Sequence, residues 1–269
     1  MLKVVANLGL LFTEVPVPNR FQRAEAAGFR VVEMWCPFQW PAIQLARAMK
    51  EAGVELLQFN LDMGDVPAGD RGFLGLPDAR EHFRSGCEVA LRYAAELGVR
   101  QLNCLAGNRK ADIPLADQIE CMHQNLEWLV PLLESHDLEL SIEPLNMFQS
   151  PEYLFPRPGE LFSTLRSWGL SRVRVLYDLY HAQLMEGNLV GTLRENLELV
   201  GHVQVADAPG RHQPGTGEIN FPYVFSQLEA LGYDRFVSLE YVPLGSTEDS
   251  LLWLPMESRV QFNSGDLTL

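Results

Sequence analysis

Short apolar runs rich in valine, leucine and phenylalanine alternate along this chain with longer stretches whose apolar residues recur every three or four positions. The short runs predict strands at Val4–Gly9, Val31–Trp35, Glu55–Asn60, Gln101–Ala106, Glu139–Glu143, Val173–Asp178, His202–Ala206 and Phe236–Glu240. Several are nearly continuous rather than alternating, which marks parallel strands covered on both faces. The longer stretches predict helices over Arg20–Ala27, Pro41–Ala52, Pro77–Leu97, Leu115–Ser135, Pro158–Trp168, Leu189–Val200 and Phe221–Leu231, with an eighth beginning in Glu248–Leu254. Within Pro77–Leu97, Phe83, Cys87, Ala90, Leu91 and Ala94 share one helical face, and Gly98 stands where a left-handed residue closes a helix.

Eight strands with helical connections suit a (β/α)₈ TIM barrel better than an open doubly wound sheet. No G-x-G-x-x-G follows the first strand, so a dinucleotide-binding fold is disfavoured and no nucleotide cofactor is expected. A chain of 269 residues can bury about three quarters of its unfolded surface, and no linker or low-complexity tract divides it. A single TIM-barrel domain over residues 1–269 is therefore expected. The apolar start MLKVVANLGLLF reads as a first buried strand rather than a signal peptide, because Asn7 and Gly9 interrupt it and no small-residue cleavage site follows. No run approaches 18 apolar residues, so no membrane span is expected.

The formal charge of −14 argues against nucleic acid or an anionic membrane as partner, since phosphate surfaces demand Lys and Arg. A local basic pocket for a small anion stays compatible with it. The cysteines Cys36, Cys87, Cys104 and Cys121 form no C-x-x-C pair and read as buried free thiols of a reducing, cytoplasmic compartment.

The chemistry lies at the strand ends. In LELSIEPLN an apolar run stops on Glu143, and the next strands stop on Asp178 (VLYDLYHAQ), Gln204 (HVQVAD) and Glu240 (SLEY). In a barrel the C-terminal strand ends form the active-site face. Four consecutive strands thus bring oxygen-bearing side chains to one mouth. Three converging carboxylates repel unless a counter-charge joins them, and an all-oxygen set suits a hard divalent ion, Mg²⁺ or Mn²⁺. Glu33 ends the second strand (VVEMW), and His202 shares the barrel-facing side of the seventh with Gln204. Arg71 and Arg80, around GDRGFLGLPDARE, are candidates for a lid presenting positive charge.

These segments, from ANLGLLFTEVP through GFRVVEMWCP, GDRGFLGLPDARE, LNCLAGN, IEPLN and YDLYHAQLMEGNL to GHVQVADAPGRHQPGTGEINF and LEY, resemble the hydroxypyruvate isomerase and 2-oxo-tetronate isomerase family of xylose-isomerase-like TIM barrels. The resemblance covers nearly the whole chain. It implies a metal-assisted aldose–ketose type isomerisation of a small hydroxy-oxo acid through an enediolate, such as hydroxypyruvate to tartronate semialdehyde. Glu143 and Glu240 match the acid/base pair, and with Asp178 and Gln204 they match the metal ligands. His181 and Arg211 match substrate-contacting positions. Arg71 is grouped with them, and so is Glu33, as a hydrogen-bond partner supporting the site. Asn7 and Glu218 are weaker candidates. One departure stands out: related isomerases commonly carry Lys two residues after the last Glu, where this chain has Val242.

Three other readings are weighed. A ketose 3-epimerase on the same scaffold prefers His where this chain has Gln204. A barrel-type phosphodiesterase or endonuclease needs a His-rich cluster and a basic face, disfavoured by six histidines and the charge of −14. A metabolite-binding barrel without turnover is disfavoured by the intact Glu143/Glu240 pair. A homo-oligomer is compatible with the sequence.

Overall fold

The computed structural model describes all 269 residues. Chain order alternates strand and helix: β1 (Leu2–Asn7), α1 (Val17–Ala26), β2 (Val31–Met34), α2 (Ala42–Ala52), β3 (Glu55–Asn60), α3 (Arg80–Leu97), β4 (Gln101–Cys104) and α4 (Leu115–Ser135). It continues with β5 (Glu139–Ile142), α5 (Pro158–Trp168), β6 (Val173–Asp178), α6 (Leu179–Met185), α7 (Leu189–Asn196), β7 (Val200–Val205), α8 (Phe221–Ala230), β8 (Phe236–Leu239), α9 (Thr247–Ser250) and β9 (Gln261–Phe262). Strands β1 to β8 pair in sequence, all parallel, and β1 pairs with both β2 and β8, closing the barrel. The (β/α)₈ reading is thereby met. No helix is long and apolar enough to cross a membrane.

The helices seat on the barrel by the stripes that the periodicity marks. On α3, Phe83, Cys87, Ala90, Leu91, Ala94 and Leu97 are buried, and Gly98 at φ +69° ends the helix. Each large apolar side chain so buried contributes about 1.5–3 kcal/mol.

Register positions the mouth. Asp178 pairs with Gln204 across β6 and β7, Asn7 with Glu33 across β1 and β2, and Asn60 with Asn103 across β3 and β4. These polar residues therefore stand at one end of the barrel.

Several boundaries differ from expectation. The first strand stops at Asn7, because its Oδ1 accepts the Gly9 N–H and turns the chain. Pro77–Ala79 forms a separate 3-10 turn before α3. Helix α1 begins at Val17, three residues early. The stretch Leu189–Val200 is α-helical to Asn196 and continues as a 3-10 turn over Leu197–Leu199, and Val200 already belongs to β7. The expected eighth helix is the single turn α9. Strand β9, antiparallel to β1, and helix α6 were not foreseen. Cys87, Cys104 and Cys121 are buried free thiols as expected, whereas Cys36 is only half-buried.

Candidate active site

A cavity of about 390 Å³ opens at the C-terminal ends of the strands. Its wall includes Trp35, Asn60, Arg71, Glu143, His181, Arg211 and Glu240, with Met63, Val66, Leu105 and Leu145 as apolar lining. Asp178 and Gln204 lie almost wholly buried and do not line it.

Glu143 follows β5 directly. Its Oε2 accepts from Asn103 Nδ2 at 2.8 Å, and its backbone carbonyl accepts the Tyr153 hydroxyl at 2.6 Å. One carboxylate oxygen is thus tethered, while Oε1 lies 3.8 Å from His181 Nε2. Glu240 follows β8 and is held on both oxygens. Oε1 accepts from Trp35 Nε1 (2.8 Å) and Asn7 Nδ2 (3.1 Å), and Oε2 accepts from Arg211 Nη2 (2.9 Å). Asp178 ends β6 and starts α6, its Oδ1 accepting the Tyr180 N–H at 2.8 Å. Its Oδ2, like Gln204 Oε1, is buried without a hydrogen-bond partner.

Electrostatics follow from this burial. Loss of water pushes the Glu143 carboxyl well above the ordinary range, with Glu240 and Asp178 adding to the rise. Burial also lifts Asp178 to about 7, against the pull of Arg211, and raises Glu240 despite the same guanidinium. Three carboxylates face one arginine, and ionising all three would leave two negative charges unbalanced, the deficit a divalent cation fills. The orphaned oxygens of Asp178 and Gln204 fit that ion, since buried oxygens without partners carry a desolvation penalty unless something coordinates them.

The groups able to hold a metal that lie closest together are Glu143, Asp178 and His181, whose ligand atoms fall within 4.8 Å of one another. This trio adds His181 to the expected oxygen set and leaves Glu240 outside, facing Arg211. His181 is nevertheless a poor ligand. Its Nδ1 accepts the Asn146 backbone N–H (3.0 Å), a group that can only donate, so the proton of the neutral ring sits on Nε2. Burial, aided by Arg211, pulls its pKa well below the ordinary value. Nε2 stands 3.6 Å from Asp178 Oδ2 and 3.8 Å from Glu143 Oε1, and a neutral ring makes these dipolar contacts rather than ion pairs. Nε2–H has no partner and is free to donate.

The remaining expected residues divide. Arg211 lines the cavity, its Nε unpartnered and its guanidinium 5.4 Å above the Tyr180 ring. Arg71 also lines it, but spends donors on Ser150 Oγ and the Val66 and Asp70 carbonyls, clamping two loops together. Arg80 instead bonds Gln124 away from the cavity wall. Glu33 does not line the cavity; it is buried behind it. Its Oε1 accepts from Asn7 Nδ2 and Gln204 Nε2 (both 2.7 Å), its Oε2 from Gln58 Nε2 (2.9 Å), and His202 Nε2 lies 2.8 Å from Oε2. Burial opposes its charge, but these partners hold its pKa below the ordinary value. By engaging the amide nitrogen of Gln204, Glu33 leaves the Gln204 oxygen as the free end. Glu218 accepts from Gln183 at the surface. Val242 exposes its side chain, while its N–H bonds the Arg211 carbonyl (2.8 Å). Sequence reasoning missed Trp35, Asn103 and Asn146, which position Glu240, Glu143 and His181; none of them is a charged residue closing an apolar run.

Comparison with known proteins agrees with this architecture. Residues 21–255 match the family described as xylose isomerase-like TIM barrel. Hydroxypyruvate isomerase of Escherichia coli K12 is 36% identical over 254 residues, covering 94% of this chain and 98% of that protein. 2-Oxo-tetronate isomerase of Pectobacterium atrosepticum is 34% identical over 257 residues, covering 94% and 97%. A crystal structure described as AP endonuclease, family 2, from Brucella melitensis superposes with a TM-score of 0.91 at 35% identity, covering 94% and 98%.

Proposed function

The chain belongs to the xylose isomerase-like TIM-barrel family, and on that footing we propose that it isomerises a short hydroxy-oxo acid. The pair is hydroxypyruvate and tartronate semialdehyde, or a related 2-oxo-tetronate pair; hydroxypyruvate and 2-oxo-tetronate are the substrates in the names of its relatives. The observation that carries this reading is two buried glutamates, Glu143 and Glu240, both reaching one cavity that also holds Arg211 and His181.

The residues have distinct tasks. One glutamate removes the proton from the carbon beside the carbonyl, and the other returns a proton to the neighbouring carbon, a contribution of about 10²–10⁴-fold for each well-placed base. His181 Nε2–H donates to the oxygen on which charge develops. The unpartnered Nε–H of Arg211 faces the substrate's anionic end, for which a planar guanidinium is suited. Trp35 and Asn7 keep Glu240 oriented, and Asn103 keeps Glu143 oriented. Glu143, Asp178 and Gln204, with Glu240 nearby, would hold Mg²⁺ or Mn²⁺, which when bound supplies Lewis-acid polarisation of the substrate's carbonyl.

A carboxylate-rich mouth and a charge of −14 oppose the phosphodiester substrates that an endonuclease requires. The test is solvent-proton exchange and product analysis. In D₂O with Mn²⁺, the protein is expected to place deuterium next to the carbonyl of hydroxypyruvate or a 2-oxo-tetronate and to form the isomer. EDTA should abolish turnover and added ion restore it, while E143Q and E240Q each lose at least about 10³-fold. Turnover of free ketoses alone, or no exchange with any oxo acid, would refute the assignment.

A further inference from the structure

The loop after β7 is built around a carboxylate that touches no part of the cavity. Asp207 is 1% exposed, and no Arg, Lys or His nitrogen pairs with it. Five backbone N–H groups converge on it instead. Oδ1 accepts from Ala208 (2.9 Å) and Ile219 (3.1 Å), and Oδ2 from Gly215 (3.0 Å), Thr216 (3.0 Å) and Gly217 (2.8 Å). A buried carboxylate without a cation is expensive, and a ring of backbone dipoles is one of the few environments that sustains it. Two acceptor oxygens are needed here, since an amide would turn an NH₂ toward N–H donors on one side.

The segment wound on this carboxylate delivers Arg211. The Arg211 N–H bonds the Asp207 carbonyl (2.8 Å), and its own carbonyl accepts from Val242. The Asp207 N–H returns to the His212 carbonyl (2.7 Å). Between these ties Arg211 adopts φ +57°, a conformation uncommon for a residue with a long side chain. The approach is close enough to dictate a neighbour: a Cβ on Gly217 would meet the Ala208 carbonyl oxygen at 2.0 Å and Asp207 Oδ1 at 2.6 Å.

We infer that Asp207 is a positioning residue for Arg211: it gathers the N–H groups of residues 208–219 so that the guanidinium is set against Glu240 before substrate arrives. Its catalytic consequence rests on the isomerase reading above; its structural consequence does not. The loop therefore needs no rearrangement on binding, and the Arg211 cation stays beside Glu240 in the free protein.

Two measurements test this. In NMR spectra of protein labelled with [¹⁵N]arginine, D207N and G217A should shift or broaden the Arg211 Nε–H signal. The Arg235 signal, from the opposite rim, should stay put and report that the barrel is folded. In kinetics, D207N should lower kcat/KM for the oxo acid by roughly 10²-fold, the scale of a misplaced catalytic constellation. In an R211A background the same change should cost less than about threefold, because the two losses share one origin. If D207N does not fold, G217A, which leaves every charge in place, carries the test. An unmoved Arg211 signal, or full additivity of D207N and R211A, overturns the inference. A parent protein without turnover would sink the isomerase reading alone, and the NMR comparison would still judge Asp207.

Discussion

The carboxylate of Glu33 accepts from three other strands, through Asn7 on β1, Gln58 on β3 and Gln204 on β7, and His202 Nε2 on β7 lies 2.8 Å from its Oε2. Both oxygens are engaged, so replacement by an amide turns an NH₂ toward groups that also donate. E33Q is expected to lose about 2–4 kcal/mol of stability, the range for a broken buried pair with unsatisfied donors. It also frees the Gln204 amide to rotate, so Mn²⁺ affinity should fall about 10–100-fold. Thermal melts and calorimetric Mn²⁺ titration check both; an E33Q protein that melts and binds like its parent would contradict this account. Legibility in sequence was uneven at this scale. Glu143, Asp178, Gln204 and Glu240 each close an apolar run, which made them visible. The partners of Glu33 were not, because each arrives from a different strand and no spacing encodes their meeting. Trp35 carries no charge to mark it at the end of an apolar run, and Asn103 sits inside a strand rather than at its end. The tautomer of His181 is set by Asn146, 35 residues earlier. Asp207 was hidden in a Gly/Pro-rich loop whose N–H groups have no side-chain signature.

Helix α6 shows how one residue can serve two elements. Asp178 ends β6 and caps α6 through the Tyr180 N–H. Asparagine caps as well as aspartate, whereas alanine does not. D178A should therefore be less stable than D178N by about 1 kcal/mol in urea titrations, while both lose turnover. Equal stability of the two would deny the cap its role. The helix itself escaped prediction because seven residues are too few for a 3.6 period to stand out. Gly201 falls between the expected helix Leu189–Val200 and the expected strand His202–Ala206. It lies inside β7, where a Cβ would meet Ser141 Oγ at 2.5 Å and the Arg174 side chain at 2.6 Å. Crowding by neighbouring side chains, not flexibility, explains that glycine. Where periodicity was long and clean, as in α4 and α5, both boundaries agree with expectation.

Across the whole molecule the two rims of the barrel differ in purpose. Opposite the cavity, Arg235 ahead of β8 grips Glu139 of β5 with two nitrogens (2.6 and 3.2 Å) and reaches the Gly201 carbonyl of β7. Partial burial alone would raise the Glu139 pKa, but Arg235, with Arg174 and Arg172 behind it, lowers it below the ordinary value. Because Glu139 titrates lower in the folded than in the unfolded chain, its stabilisation is complete above about 4.5 and fades as pH falls through the native value. R235L should cost about 1 kcal/mol at pH 7, modest because both groups keep some contact with water. The deficit should shrink as pH falls below about 4.5 and through the lowered native value, and one that does not shrink at all on acidification would have another cause. The topology adds a consequence in time. Strand β1 bonds to β8, some 230 positions later in the chain. At ribosomal speeds its outer edge waits roughly 10–50 s for that mate. The last stave also brings Glu240, so the cluster at the mouth is complete only when the barrel closes, and an unpaired edge seeking company is the hazard such a polypeptide must survive on its way out of the tunnel.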